Sequence, residues 1–65
     1  MEQIQVNIKT GRQYKVLNPM VIDATNNNHG RIMVLYQGES GEVYVREKFE
    51  FLQKFMPLSK VGKIN

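Results

Sequence analysis

A chain of 65 residues with no cysteine and a single histidine cannot be a disulfide scaffold or a thiolate zinc module, and offers too few nitrogen ligands for a histidine-built metal centre. One domain fits this length, and it buries only about 60% of the surface its unfolded chain exposes, so packing must carry the stability, with self-association as the remaining supplement. Nine basic against six acidic residues give a net charge of +3, which favours anionic partners; Lys60 and Lys63 lie near the C-terminus, so the body is almost balanced and the nucleic-acid signal is weak.

Four stretches of strand character precede one of helical character, the order of a small curled sheet covered by a helix. Residues 3 to 9 alternate strictly, with Ile4, Val6 and Ile8 on the side expected to be buried and Gln3, Gln5, Asn7 and Lys9 on the other. Thr10 and Gly11 interrupt the alternation, and residues 12 to 17 resume it with Tyr14 and Val16 on one side, as a hairpin partner would. Asn18 and Pro19 mark a turn or bulge, because proline has no N–H to donate and restricts its predecessor. Residues 20 to 24 are again extended and lead into a loop of three asparagines, His29 and Gly30.

Residues 31 to 37 hold Ile32, Met33, Val34, Leu35 and Tyr36 without a break, which reads as a strand covered on both faces and central to the sheet. The turn at Gly38, Glu39, Ser40 and Gly41 connects it to residues 42 to 46, where Val43 and Val45 share one face and Tyr44 takes the other. The period then lengthens toward 3.6. Over residues 47 to 56 the stripe of Phe49, Leu52 and Met56, with Phe51 and Phe55 beside it, predicts a core-facing amphipathic helix. Glu47 and Glu50 early and Lys54 late suit its dipole, and Pro57 marks its end. Residues 58 to 65 form a tail that could add an edge strand or remain loose. The first residues show no basic segment followed by an apolar run, and no stretch reaches membrane-spanning length, so a cytoplasmic protein acting away from membranes is expected.

Three segments taken together carry a resemblance. Gly11, Tyr14 and Val16, then Val34 and Tyr36, then Tyr44, Val45 and Arg46 with a later phenylalanine, resemble a small bacterial domain family of unknown function found on chromosomes and in mobile elements. Its pattern is Gly-x-x-Tyr-x-Val, Val-x-Tyr, and an aromatic-Val-Arg-Pro segment, and it implies an SH3-like barrel. The chain departs from the pattern at Tyr44, where tryptophan is usual, and at Glu47, where proline is usual. The family brings no established activity.

Catalysis lacks a constellation. Asp23 and His29 could meet across a loop, but the serines lie in a turn and in the tail, and there is no phosphate loop, dinucleotide fingerprint or metal spacing. Tyr14, Tyr36 and Tyr44 fall on three successive strands, where their rings either complete a thin core or line a peptide groove or base-stacking platform. Tyr44 is expected to lie outside the barrel, because Val43 and Val45 take the opposite face. Arg31, Arg46 and Lys48 form a candidate basic patch for a phosphate or an acidic protein surface, or else a set of solvated charges paired with Glu42 or Glu47. His29 is either a recognition tip or part of a flexible connection.

The reading is a mainly β (α+β) single domain: a small SH3-like, partly open antiparallel barrel over residues 1–57 with a capping helix at 47–56, and a tail at 58–65. It is expected to act by binding, without catalysis, metal or cofactor. The expected partner is another protein, a second copy included; the alternative is nucleic acid read by Arg31, Arg46, Lys48 and the lysine tail.

Overall fold

The computed structural model describes residues 3 to 60. Four strands run as an antiparallel meander: β1 (Gln3–Asn7), β2 (Gln13–Asp23), β3 (Arg31–Gln37) and β4 (Val43–Glu47). A short helix, α1 (Lys48–Lys54), then carries the chain back to β1, where β5 (Phe55–Pro57) pairs before a single 3-10 turn at Leu58–Lys60. The strand order is β4-β3-β2-β1-β5, every neighbouring pair is antiparallel, and the outer strands β4 and β5 do not pair with each other. The expected mainly β architecture, an open curled sheet with one short helix, is what forms. The middle strand is β2, however, and not β3.

Local chemistry fixes each turn. After β1 the Asn7 side chain accepts from the N–H groups of Lys9 and Thr10 at 2.9 and 3.0 Å, and Gly11 turns the chain at φ 77°, a conformation glycine adopts without a Cβ penalty. The β3–β4 turn closes with Gly38 N–H donating to the Glu42 carbonyl at 2.8 Å. Within β2 the register slips twice, between Val16 and Asn18 and between Asn18 and Val21. These are β-bulges: Pro19 cannot donate to a ladder, and the Asn18 side chain accepts from Met20 N–H at 2.9 Å to hold the distorted backbone. β2 continues past the bulges and pairs with the start of β3, so its 11 residues span roughly 36 Å at about 3.3 Å each. That hairpin accounts for most of the 45 Å long axis of the molecule.

The helix is shorter than the apolar period predicts. Glu47 caps it, its carboxylate accepting from the N–H groups of Phe49 and Glu50 at 3.0 and 3.1 Å. Its φ of −62° lies within the range that proline imposes, so glutamate here keeps the backbone that the resembling family's proline would set and adds a cap. At the other end Phe55 is already extended, and Lys54 C=O accepts from Ile8 N–H at 2.9 Å. Pairing with β1 thus stops the helix three residues before Pro57. Proline is tolerated in β5 because that strand lies at the sheet edge. The edge strand beside β1 is thus Phe55–Pro57; of the tail that could add an edge strand or remain loose, residues 58–60 form the 3-10 turn and residues 61–65 lie outside the described residues.

The two backbone N–H donors hold the Glu47 carboxyl below its ordinary value of 4.5. A depressed folded-state value means that the stabilisation is complete above the unfolded pKa and is lost as the pH falls through the folded one. Ser40 depresses Glu42 and Thr25 depresses Asp23 in the same way. The thermal midpoint should therefore fall as the pH is lowered below about 4.5, and Glu47→Ala should lower the midpoint at neutral pH while making the acid fall shallower. Parallel pH profiles for the two proteins would refute the cap's contribution.

The core is small and aromatic. Val34, Tyr36, Phe51 and Phe55 are buried together, with Tyr14 and Val16 packed against them. Phe51 and Phe55 stack at 4.3 Å between centroids, and Tyr36 meets both edge-on at 5.0 and 5.3 Å. Directly opposed residues share a face of a sheet, so the pairs Gln5 with Tyr14 and Asn7 with Phe55 put the polar set of β1 on the core side. This reverses the expected orientation of β1. Ile4 and Val6 take the other face, Ile8 lies beyond the strand and is exposed, and Gln5 is buried. The register fixed by the Asn7 turn overrides the alternation, because the three-strand aromatic cluster has already claimed the helix-covered face.

Candidate protein-interaction surface

The tyrosines form one stack across β2, β3 and β4. Tyr14 meets Tyr36 and Tyr44 edge-on at 5.6 and 6.3 Å, and Tyr44 tilts over Tyr36 at 5.6 Å. Tyr36 is core, and its hydroxyl accepts from Arg46 Nε at 3.1 Å. Tyr44 opposes Tyr36 in register and so lies on the inner face. That corrects the expectation that it points outward; Val43 and Val45 are the outward residues, both about half exposed. The Tyr44 ring still reaches solvent at the rim. Gly38 lies against the stack, where a Cβ would come into close contact with the edges of both Tyr14 and Tyr44 at 3.4 Å. The depression beside these two rings is bounded by Arg12, Glu39, Ser40 and Glu42 and offers little apolar wall to hold a ligand.

The proposed basic patch is divided. Arg46 opposes Val34, and strand alternation puts it on the core face, where it bonds Tyr36 and pairs with Glu50 at 3.3 Å. The Tyr36 hydroxyl and the Glu50 carboxylate raise the guanidinium's pKa further. Arg31, in line with Met33 and Leu35, lies on the opposite face, where its charge acts on Glu47. Lys48 opens α1 and borders a different groove. Arg46 therefore pairs with Glu50 and not with Glu42 or Glu47. His29 is exposed in the loop at residues 24–30, which is a hydrogen-bonded turn: Asp23 accepts from Thr25 and Gly30, and Asn28 accepts from Arg31. Among the described residues no three side chains from His, Cys, Asp and Glu converge, and no helix is long and apolar enough to cross a membrane.

The surface that does converge lies between α1 and the bulged part of β2. A groove of about 340 Å³ is walled by Val16, Pro19 and Met20 on one side and Phe51 and Leu52 on the other, with Lys48 at its border. Two of its wall residues are themselves well exposed, and two further exposed apolar side chains lie on the same stripe or strand face. Met20 is 63% exposed and Leu52 57%; Phe49, on Leu52's stripe, is 71% exposed, and Ile22, two residues beyond Met20, is 51% exposed. Ile22 opposes Ile32, which shares the core face with Val34, so these residues continue the core side of the sheet beyond the reach of the seven-residue helix. Together they expose on the order of 400 Å² of apolar surface, as much as the largest patch of a typical monomer.

The helix thus has two apolar stripes, and the structure assigns them opposite duties. Phe51 and Phe55 fill the core, while Phe49 and Leu52, expected to be core, face solvent. A signal for this was present in the chain: five large apolar residues within ten positions are too many for one face of so short a helix. Met20 and Ile22 carried no comparable signal, because their exposure follows from the sheet running past the end of the seven-residue helix. No family model, curated protein or solved structure matches this chain, so the functional reading rests on this geometry.

Proposed function

We propose that the protein is a non-enzymatic binding module whose α1–β2 groove takes a short apolar segment of another polypeptide. The observation that supports this is the mostly apolar groove walled by Met20 and Leu52 and bordered by Lys48, with Phe49 and Ile22 exposed on the same helix stripe and the same strand face. The largest apolar patch of a monomer is often its functional one. Two or three apolar side chains fit the groove, and an acidic flank on the ligand would complement Lys48. The alternative, a nucleic-acid-binding barrel, needs a continuous basic stripe, and Arg31 and Arg46 lie on opposite faces of the sheet.

Selection from a displayed random-peptide library tests the proposal. Enriched peptides should carry apolar anchors with an acidic flank and lose binding at least tenfold to the double variant Met20→Lys, Leu52→Lys. Both positions are exposed, so the variant should unfold at nearly the wild-type temperature. No enrichment, or equal binding to the variant, would reject the groove.

A further inference from the structure

A second surface, separate from the groove, lies at the free edge of β4. Among the described residues no strand pairs with the outer side of β4. Natural edge strands are blunted by short length, proline, bulges or charges, inward-pointing ones included; β4 carries charge only at its end, on Arg46 and Glu47, and the stretch Val43, Tyr44, Val45 before them has neither charge nor proline. Val43 and Val45 are 53% and 54% exposed.

The backbone pattern is specific. Glu42 C=O accepts from Gly38 N–H, so Glu42 faces β3, and the alternation of an antiparallel ladder turns the backbone groups of Tyr44 and Arg46 toward β3 as well. The N–H and C=O groups of Val43 and Val45 therefore point away from the sheet. Glu47 would follow, but it is the helix cap, and a cap residue's C=O already serves the first helical bond. Each chain thus presents the outward donors and acceptors of Val43 and Val45, centred on Tyr44, with the Glu47 N–H as a further outward donor at the end of the strand.

We propose that two copies of this chain pair through β4 in an antiparallel register whose two-fold axis passes through Tyr44. In that register Val43 faces Val45 of the second copy and exchanges both backbone bonds with it, and the symmetric pair does the same, so the outward groups of both valines are satisfied. Glu42 of each copy lies opposite Arg46 of the other on the Tyr44 face, adding a second carboxylate to a guanidinium that already holds Tyr36 and Glu50 of its own chain, while Glu42 keeps its bond from Ser40. Opposite charges directly across an antiparallel pair stabilise it. The alternative register centred on Val45 would need Glu47 to pair with Val43 and would lose this charge match. A foreign strand would satisfy the same backbone groups but has no reason to match Glu42 and Arg46 at this spacing; the chain matches itself. The contact is small, below the roughly 1,200 Å² of a stable interface, so the pair is transient.

Sedimentation velocity of the full chain across a concentration series should show a monomer–dimer equilibrium with a Kd on the order of 10 to 100 µM. Val45→Pro removes one outward N–H and leaves the β3 ladder intact; it should abolish dimers, whereas Val45→Thr should retain them. Because the chain has no cysteine, oxidation of Tyr44→Cys reads the register directly. Residues facing each other in a non-hydrogen-bonded pair have Cα atoms about 4.5 Å apart, within disulfide reach. Tyr44→Cys should therefore crosslink at least tenfold faster than Val43→Cys or Ser40→Cys. A chain monomeric at every concentration, a dimer that survives Val45→Pro, or equal crosslinking at all three positions would overturn the proposal.

Discussion

Replacing Phe51 with alanine leaves most of the protein unfolded at 25 °C, whereas replacing Phe49, two residues earlier, leaves its stability within about 0.5 kcal/mol of wild type. Phe51 is 3% exposed and stacks on Phe55, while Phe49 is 71% exposed. Truncating a buried phenylalanine costs about 3 to 5 kcal/mol. A single core in a chain of this size supplies about the same amount, so one truncation removes the whole margin. Phe49 has little burial to lose. Urea unfolding followed by far-ultraviolet circular dichroism makes the comparison, with the folded fraction in buffer as the readout. A folded Phe51→Ala protein with an unchanged midpoint would mean that the stacked pair is not the centre of the core.

The second large effect belongs to Arg46. Arg46→Ala should cost about 1 to 2 kcal/mol, chiefly because the buried Tyr36 hydroxyl loses a charged hydrogen-bond partner. The ion pair with Glu50 contributes much less, since Glu50 is half exposed and solvent screens such pairs. Glu50→Gln should therefore change stability by no more than about 0.5 kcal/mol. Lysine should not restore the loss, because the bond runs from Nε of a planar guanidinium that a flexible ammonium does not reproduce. A double-mutant cycle with Tyr36→Phe isolates the contact and should return a coupling of about 1 kcal/mol. A coupling near zero would show that Arg46 acts through its aliphatic stem instead.

Where local chemistry and tertiary packing agreed, the chain was legible. The limits of β3 follow from an uninterrupted apolar run, and the β3–β4 turn follows from Gly38 and Gly41, the latter at φ 97°. The bulge in β2 follows from Pro19. The candidate site was far less legible. Tyr14, Tyr36 and Tyr44 were foreseen as neighbours, yet the inward facing of Tyr44 depends on the β3–β4 register. Arg31 and Arg46 read as one candidate patch on neighbouring strands, but a strand has two faces, and an odd separation in register sends two side chains to opposite ones.

The sequence by itself determined the four leading strands, the helix that follows them and the exclusion of thiol chemistry, because these depend on residue type and on periods of two or 3.6 within a few neighbours, whereas β5 did not show in any local period. Only the tertiary structure decided which apolar residues are core. Pairing of β5 with β1 ended the helix at Lys54, turned Gln5 inward and left Phe49 and Leu52 in solvent. The reason is physical: a core this small has room for one aromatic cluster, and long-range strand register, which no local period encodes, selects the side chains that fill it.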